Sequence, residues 1–117
     1  MPKLEISATF RIAASHFLPK YHGKCENMHG HNYKIIITTE GEVKDDGMVM
    51  DFKELKKIAK EHAIDKLDHT HLNDIMENPS AENMAVWIWE NLKPHLHGLK
   101  KIKIFETDDY YCSYYGE

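Results

Sequence analysis

Residues 4 to 17 alternate, with Leu4, Ile6, Ala8, Phe10, Ile12 and Ala14 on one side and Glu5, Ser7, Thr9 and Arg11 on the other. A period of two predicts a long strand with one face buried. Residues 31 to 40, rich in Ile and Thr, predict a second strand, and GEVKDDG supplies the turn after it. Asp51 then stands three residues ahead of Glu54 as a cap, and Phe52, Leu55, Ile58 and Ala59 keep helical spacing, so 52 to 62 reads as a helix with a lysine-rich outer face. Pro79 and Ser80 announce a second helix, carried by Met84, Ile88, Leu92 and Leu96 as far as Gly98. Alternation returns through Ile102, Ile104 and Glu106, and a turn at Asp108 and Asp109 leads into the aromatic strand YYCSYYG. The order is ββααββ, which predicts an α+β domain: a four-stranded antiparallel sheet with two helices on one face.

Length and charge narrow the classes. A chain of 117 residues reads as a single domain over 1–117. With 15 Lys+Arg against 19 Asp+Glu and a formal charge of −4, it lacks the basic face of a phosphate-backbone binder, so no nucleic acid is expected as partner. The opening MPKLEISATF has no apolar core after a charged stretch, and no apolar run approaches ~18 residues, so neither secretion signal nor membrane span is expected. A cytoplasmic protein with Cys25 and Cys112 as free thiols follows as the expectation.

Chemistry concentrates in KCENMHGHNYKIII, residues 24 to 37, and in the interhelical stretch DKLDHTHLNDIMENPS, residues 65 to 80. His29 and His31 are two apart, so a strand puts both imidazoles on one face, whereas a helix would set them ~200° apart. His16 is in phase with Ile12 and Ala14 and points to the otherwise apolar side of the first strand. Three imidazoles meeting there have the composition of a zinc site with an open fourth position. Taken singly, an inward histidine is more often a hydrogen-bonded core residue. The pairs His69/His71 and His95/His97 show how common the His-x-His spacing is in this chain. Cys25 admits a different arrangement, a closed structural site with His16, His29 and His31, which spacing alone leaves open. Glu106 shares a strand face with Ile102 and Ile104. A carboxylate there is either at an exposed strand end or a recognition group able to accept two parallel N–H bonds from a flat heterocycle.

Taken together, ASHFL at 14–18, KCENMHGHNY at 24–33, GMVMDF at 47–52, LDHTHLN at 67–73, NPSAEN at 78–83 and ET at 106–107 resemble the 6-pyruvoyltetrahydropterin synthase and 6-carboxytetrahydropterin synthase family, in the family's order and over essentially the whole chain. The resemblance implies the tunnelling fold, whose trimers close their sheets into a barrel and stack as a homo-hexamer. It implies Zn2+ on His16, His29 and His31, and Cys25 as a catalytic thiol rather than a fourth ligand. It makes Asp68 and His69 an acid/base pair contributed by a neighbouring subunit, and Glu106, with Thr107 beside it, the anchor of a pterin ring.

The substrate implied is the small molecule 7,8-dihydroneopterin triphosphate. The product expected is 6-carboxy-5,6,7,8-tetrahydropterin, with release of acetaldehyde and triphosphate on the way to queuosine and related deazapurines. Two other family outcomes are 6-pyruvoyltetrahydropterin and a 6-hydroxymethyl pterin for folate. The last uses a glutamate near the cysteine position, and here Glu26 directly follows Cys25; as a bare sequence feature Glu26 is a solvated turn residue. Ser80 stands where the family usually has Thr and keeps the hydroxyl cap. A reading of a different class is a non-enzymatic zinc-stabilised module with Cys25 as a ligand.

Overall fold

The computed structural model describes residues 2–19 and 30–117 together with the backbone of His29. Cys25 and Glu26 lie outside the described residues. Two strands of equal length, β1 (Lys3–His16) and β2 (His29–Glu42), pair antiparallel along their whole length, from Lys3↔Glu42 to His16↔His29. β4 (Leu99–Phe105) pairs with the other edge of β2, and β5 (Tyr111–Tyr114) with β4, both antiparallel. The register stacks the apolar sets in rows: Ile12 faces Tyr33, Ile35 faces Ile104, and Ile37 faces Ile102. All of these side chains are buried, and they make the floor on which the helices lie.

The first helix is longer than its sequence signals. α1 (Phe52–Ala59) begins at Asp51, whose side chain accepts from the Lys53 N–H, and runs into a π-helical turn, Lys60–Ile64, before a last α turn, α2 (Asp65–Leu67). The reason is a spacing of four. Leu55, Ala59, Ala63 and Leu67 are all fully buried, yet each step of four residues drifts by about 40° on an α-helix. A wider π turn takes up that drift and keeps the four on one line against the core.

The second long helix, α3 (Ala81–Leu92), starts where expected, with the Ser80 hydroxyl accepting from the Asn83 N–H. It stops at Leu92 rather than near Gly98, because Pro94 has no N–H to continue the ladder. Leu96 is nevertheless buried, carried inward by a turn in which its N–H donates to the Leu92 carbonyl.

The sheet also has a fifth strand that the alternation does not show. Its order is β3-β1-β2-β4-β5, with β3 (Thr70–His71) parallel to β1 at Ala14 and Ser15. Two residues are too few for a period. What binds them is the Asp68 carboxylate accepting the Ala13 N–H at 2.9 Å, and the His69 N–H donating to the Ala13 carbonyl at 2.7 Å. The polar interhelical connection is thereby stitched to the edge of β1.

Candidate active site

β1 and β2 bring their histidines to one end of the sheet. His16 is the last residue of β1, and its backbone pairs with that of His29, while His31 pairs with Ala14. His16 is 1% exposed, so its imidazole must be satisfied within the protein. Nδ1 lies 2.7 Å from the Pro79 carbonyl. A carbonyl can only accept, so Nδ1 carries the proton, and the lone pair of Nε2 is left for another partner. The Tyr33 hydroxyl stands beside the same ring, 3.2 Å from Nδ1 and 3.4 Å from Nε2. His31 meets His16 edge to face, with ring centroids 5.3 Å apart.

Glu106 joins them from the end of β4. Its Oε1 lies 3.3 Å from His31 Nε2, and one donor atom from each of His16, His31 and Glu106 lies within 4.8 Å of the others. Tetrahedral zinc with bonds of about 2.0–2.1 Å holds its donors about 3.4 Å apart, so a small inward shift of these side chains closes the set on an ion. Neutral imidazole and carboxylate are the right donor types, and the Pro79 carbonyl behind His16 is the outer contact such a ligand needs. The residues fit a metal of the zinc class. Glu106 thus stands beside the two histidines, at the end of the sheet where they converge. The imidazole of His29 lies outside the described residues.

The turn after β4 holds Glu106 in place. The Glu106 N–H donates to the Tyr110 carbonyl at 3.0 Å, and the Thr107 hydroxyl accepts the Asp109 and Tyr110 N–H groups at 3.2 and 3.1 Å. Thr107, expected as a substrate contact, also holds this turn through its hydroxyl oxygen and keeps its O–H as a donor. Next to Glu106 is a cavity of about 160 Å³ whose wall includes Ala81, Glu82, Tyr110, Tyr111 and Cys112. Sequence reasoning missed Glu82 and Cys112. Glu82 stands in the NPSAEN stretch, two residues past the Ser80 cap, and so belongs to the first turn of α3, where a second carboxylate could have been sought. Burial pushes the Cys112 thiol above its ordinary value, with Glu82 and Glu106 adding to the rise. Cavities of about 430 Å³ beside α3 and about 400 Å³ at the far end of β2 contain none of the clustered residues, whereas one of about 330 Å³ between β1 and β2 is lined in part by His31.

Asp68 and His69 sit apart, where α2 meets β3. Asp68 Oδ2 is 3.6 Å from His69 Nε2, and the His69 side chain is 81% exposed. His69 has a φ of 59°, the left-handed region that non-glycine residues seldom adopt. Its own N–H and the carboxylate of Asp68, both bonded to Ala13, fix it there. Within a single chain this pair is not part of the His16–His31–Glu106 group.

Known proteins share both sequence and shape with this chain. The profile of the family described as 6-pyruvoyl tetrahydropterin synthase matches residues 5–117. A Dictyostelium discoideum protein named 6-pyruvoyl tetrahydrobiopterin synthase is 45% identical, over 84% of this chain and 78% of its own length. An Archaeoglobus fulgidus protein provisionally named 6-carboxy-5,6,7,8-tetrahydropterin synthase is 39% identical over 89% and 87%. A Pyrococcus furiosus protein named dihydroneopterin monophosphate aldolase is 41% identical over 73% and 75%. The solved structure of Caenorhabditis elegans 6-pyruvoyl tetrahydropterin synthase superposes with a TM-score of 0.92 at 30% identity, covering 100% of this chain and 98% of that one.

Proposed function

The chain belongs to the 6-pyruvoyl tetrahydropterin synthase family, and from that membership we propose that it is a zinc-dependent lyase converting 7,8-dihydroneopterin triphosphate to 6-carboxy-5,6,7,8-tetrahydropterin, with release of acetaldehyde and triphosphate, in deazapurine (queuosine) biosynthesis. The observation that carries the reading is the convergence of His16, His31 and Glu106 at one end of the sheet. The carboxypterin product is the one in the provisional name of the Archaeoglobus relative, 39% identical over 89% of this chain.

In this reading His16 and His31, with His29, hold the zinc. Bound there, the ion supplies Lewis acidity, which makes neighbouring hydroxyls more acidic and stabilises oxyanions. Pro79 fixes the tautomer of His16 that such binding needs. Glu106 accepts paired N–H groups from the pterin ring and so sets which side-chain carbons face the protein's acids and bases. Cys25 takes a side-chain proton as thiolate. His69, oriented by Asp68, gives or takes one on the other side. Glu26 contacts substrate near Cys25.

The cavity beside Glu106, about 160 Å³, is smaller than the ~300 Å³ or more typical of ligand sites, and His69 projects into solvent. Both features suit a site completed by a neighbouring copy, in a hexamer built as a dimer of trimers. Incubation with 7,8-dihydroneopterin triphosphate and identification of products by mass tests the assignment. A carboxypterin with acetaldehyde is expected. A pyruvoyl or hydroxymethyl pterin would overturn the choice of product, and no turnover by zinc-loaded protein would overturn the enzyme reading. Cys25→Ala should keep its zinc and lose activity, which separates a catalytic thiol from a structural ligand.

A further inference from the structure

The helices cover one face of the sheet, and the other face carries a group of cations that the site does not use. Arg11 of β1 lies directly opposite Lys34 of β2, and Lys34 directly opposite Phe105 of β4, with Lys103 two residues before Phe105 on the same face. Like charges across a strand pair repel, so the Arg11–Lys34 pairing costs stability unless something neutralises it. Among the described residues, no carboxylate lies within ion-pair distance of Arg11, Lys34, Lys101 or Lys103. The carboxylates of this face sit at its far end, where Glu40 is already engaged by Lys3 at 3.5 Å and by Lys100 at 3.9 Å.

Aromatic rings hold the ammonium groups in place. The Lys34 Nζ stands 4.1 Å from the Phe105 ring centroid, and the Lys103 Nζ stands 5.2 Å from the same ring and 4.2 Å from that of Tyr111. Two ammonium groups over one ring cannot be further apart than the sum of their distances to it. A ring face attracts a cation without consuming its N–H donors or its charge. The lysines are therefore positioned and still able to bind.

We propose that this uncovered sheet face, centred on Arg11, Lys34 and Lys103, binds a short chain of phosphates. Lysine ammonium groups are point-charge donors suited to phosphate oxygens, and Arg11 adds a planar fork. The three cations span the strands β1, β2 and β4, about 10 Å at ~4.8 Å per strand, a distance suited to a compact polyanion. A long nucleic acid fits poorly, because the chain as a whole carries −4 and repels it outside this patch. The phosphate chain could be inorganic triphosphate or the tail of a nucleotide. The proposal does not depend on the pterin reading, since it concerns the face opposite His31 and Glu106.

Calorimetric titration of the whole protein with inorganic triphosphate at low ionic strength tests it. Binding is expected, and the double variant Lys34→Gln/Lys103→Gln should weaken it by roughly tenfold or more, the scale of a lost charge-assisted contact. The double variant Lys57→Gln/Lys60→Gln, which removes the same charge from the outer side of the first helix, should leave it unchanged. His31→Ala should also bind as the parent does. Equal weakening by both double variants would reduce the effect to general charge, and loss of binding in His31→Ala would place the anion in the histidine site; either overturns the proposal. ATP should bind within a fewfold of triphosphate, and a nucleotide that binds while triphosphate does not would also overturn it. Because the lysine variants could perturb folding, ring-proton shifts of Phe105 and Tyr111 on adding triphosphate to the unaltered protein give a second readout. Their absence would refute the site.

Discussion

Asp68 holds two positions at once, and two substitutions separate them. Its Oδ1 accepts the Ala13 N–H at 2.9 Å, while Oδ2 faces His69. Asp68→Ala orphans a backbone donor on the edge of β1 and removes one of the bonds tying the 68–71 segment to that edge. Leaving a donor unsatisfied costs about 1–3 kcal/mol when it is buried, and because Asp68 is about one-third exposed, water reduces the loss to about 1–2 kcal/mol. Asp68→Asn keeps an amide oxygen at Oδ1 and should lose less than about 0.5 kcal/mol. Urea unfolding at fixed protein concentration reads the difference as a shift in midpoint with unchanged slope. Turnover should behave otherwise. Both variants remove the negative charge that would orient His69 in the proposed proton transfer, so both should lose activity, by roughly tenfold to a hundredfold or more on the scale of general acid–base catalysis. An Asn variant as unstable as the Ala variant would refute the hydrogen-bond argument. An Asn variant with full activity would refute the acid/base role.

Four further residues carry expected outcomes. His31→Ala should bind substoichiometric zinc by elemental analysis after dialysis, and full occupancy would count against the cluster. Glu106→Gln should keep its metal but bind dihydropterins at least tenfold more weakly by fluorescence titration, since an amide presents one acceptor where the carboxylate presents two. Cys112, whose folded thiol sits above its ordinary value near 9, should alkylate more slowly at neutral pH than a free cysteine in a peptide, as read by mass spectrometry. Because that value is raised in the folded state, the thiol adds nothing unfavourable below pH 9 and weakens stability only as pH climbs past it, so denaturation midpoints should begin to fall there and not lower. Ser80→Ala should cost about 1 kcal/mol of stability through the lost N-cap, with little effect on metal content.

The strands and the histidine face were legible because period-two alternation fixes both element and direction: once Ile12 and Ala14 are inward, His16 must be inward as well. Ser80 and Asp51 were legible as caps because a cap is a local bond to a residue two or three positions on. What escaped was non-local or too short to repeat. β3 exists through bonds from Asp68 and His69 to Ala13, more than fifty residues away, and no pattern in two residues announces it. The early end of α3 was readable from Pro94, but the in-phase Leu96 outweighed it. Glu82 and Glu106 line one cavity only because α3 and the end of β4 lie side by side, which is a matter of packing and not of spacing.

The π turn at Lys60–Ile64 has a consequence in units of chain length. A π turn is an α-helix carrying one residue more than its hydrogen bonds need. Removing one residue there would leave Leu55 and Leu67 eleven apart, which is three α turns to within about 20°. A chain shortened by one at this point should therefore fold as a plain helix with both leucines still inward. What it would lose is the contact that the extra residue serves, the His62 ring lying flat on His95 with centroids 3.6 Å apart. Homologues one residue shorter here should therefore be free to drop that histidine pair together with the insertion.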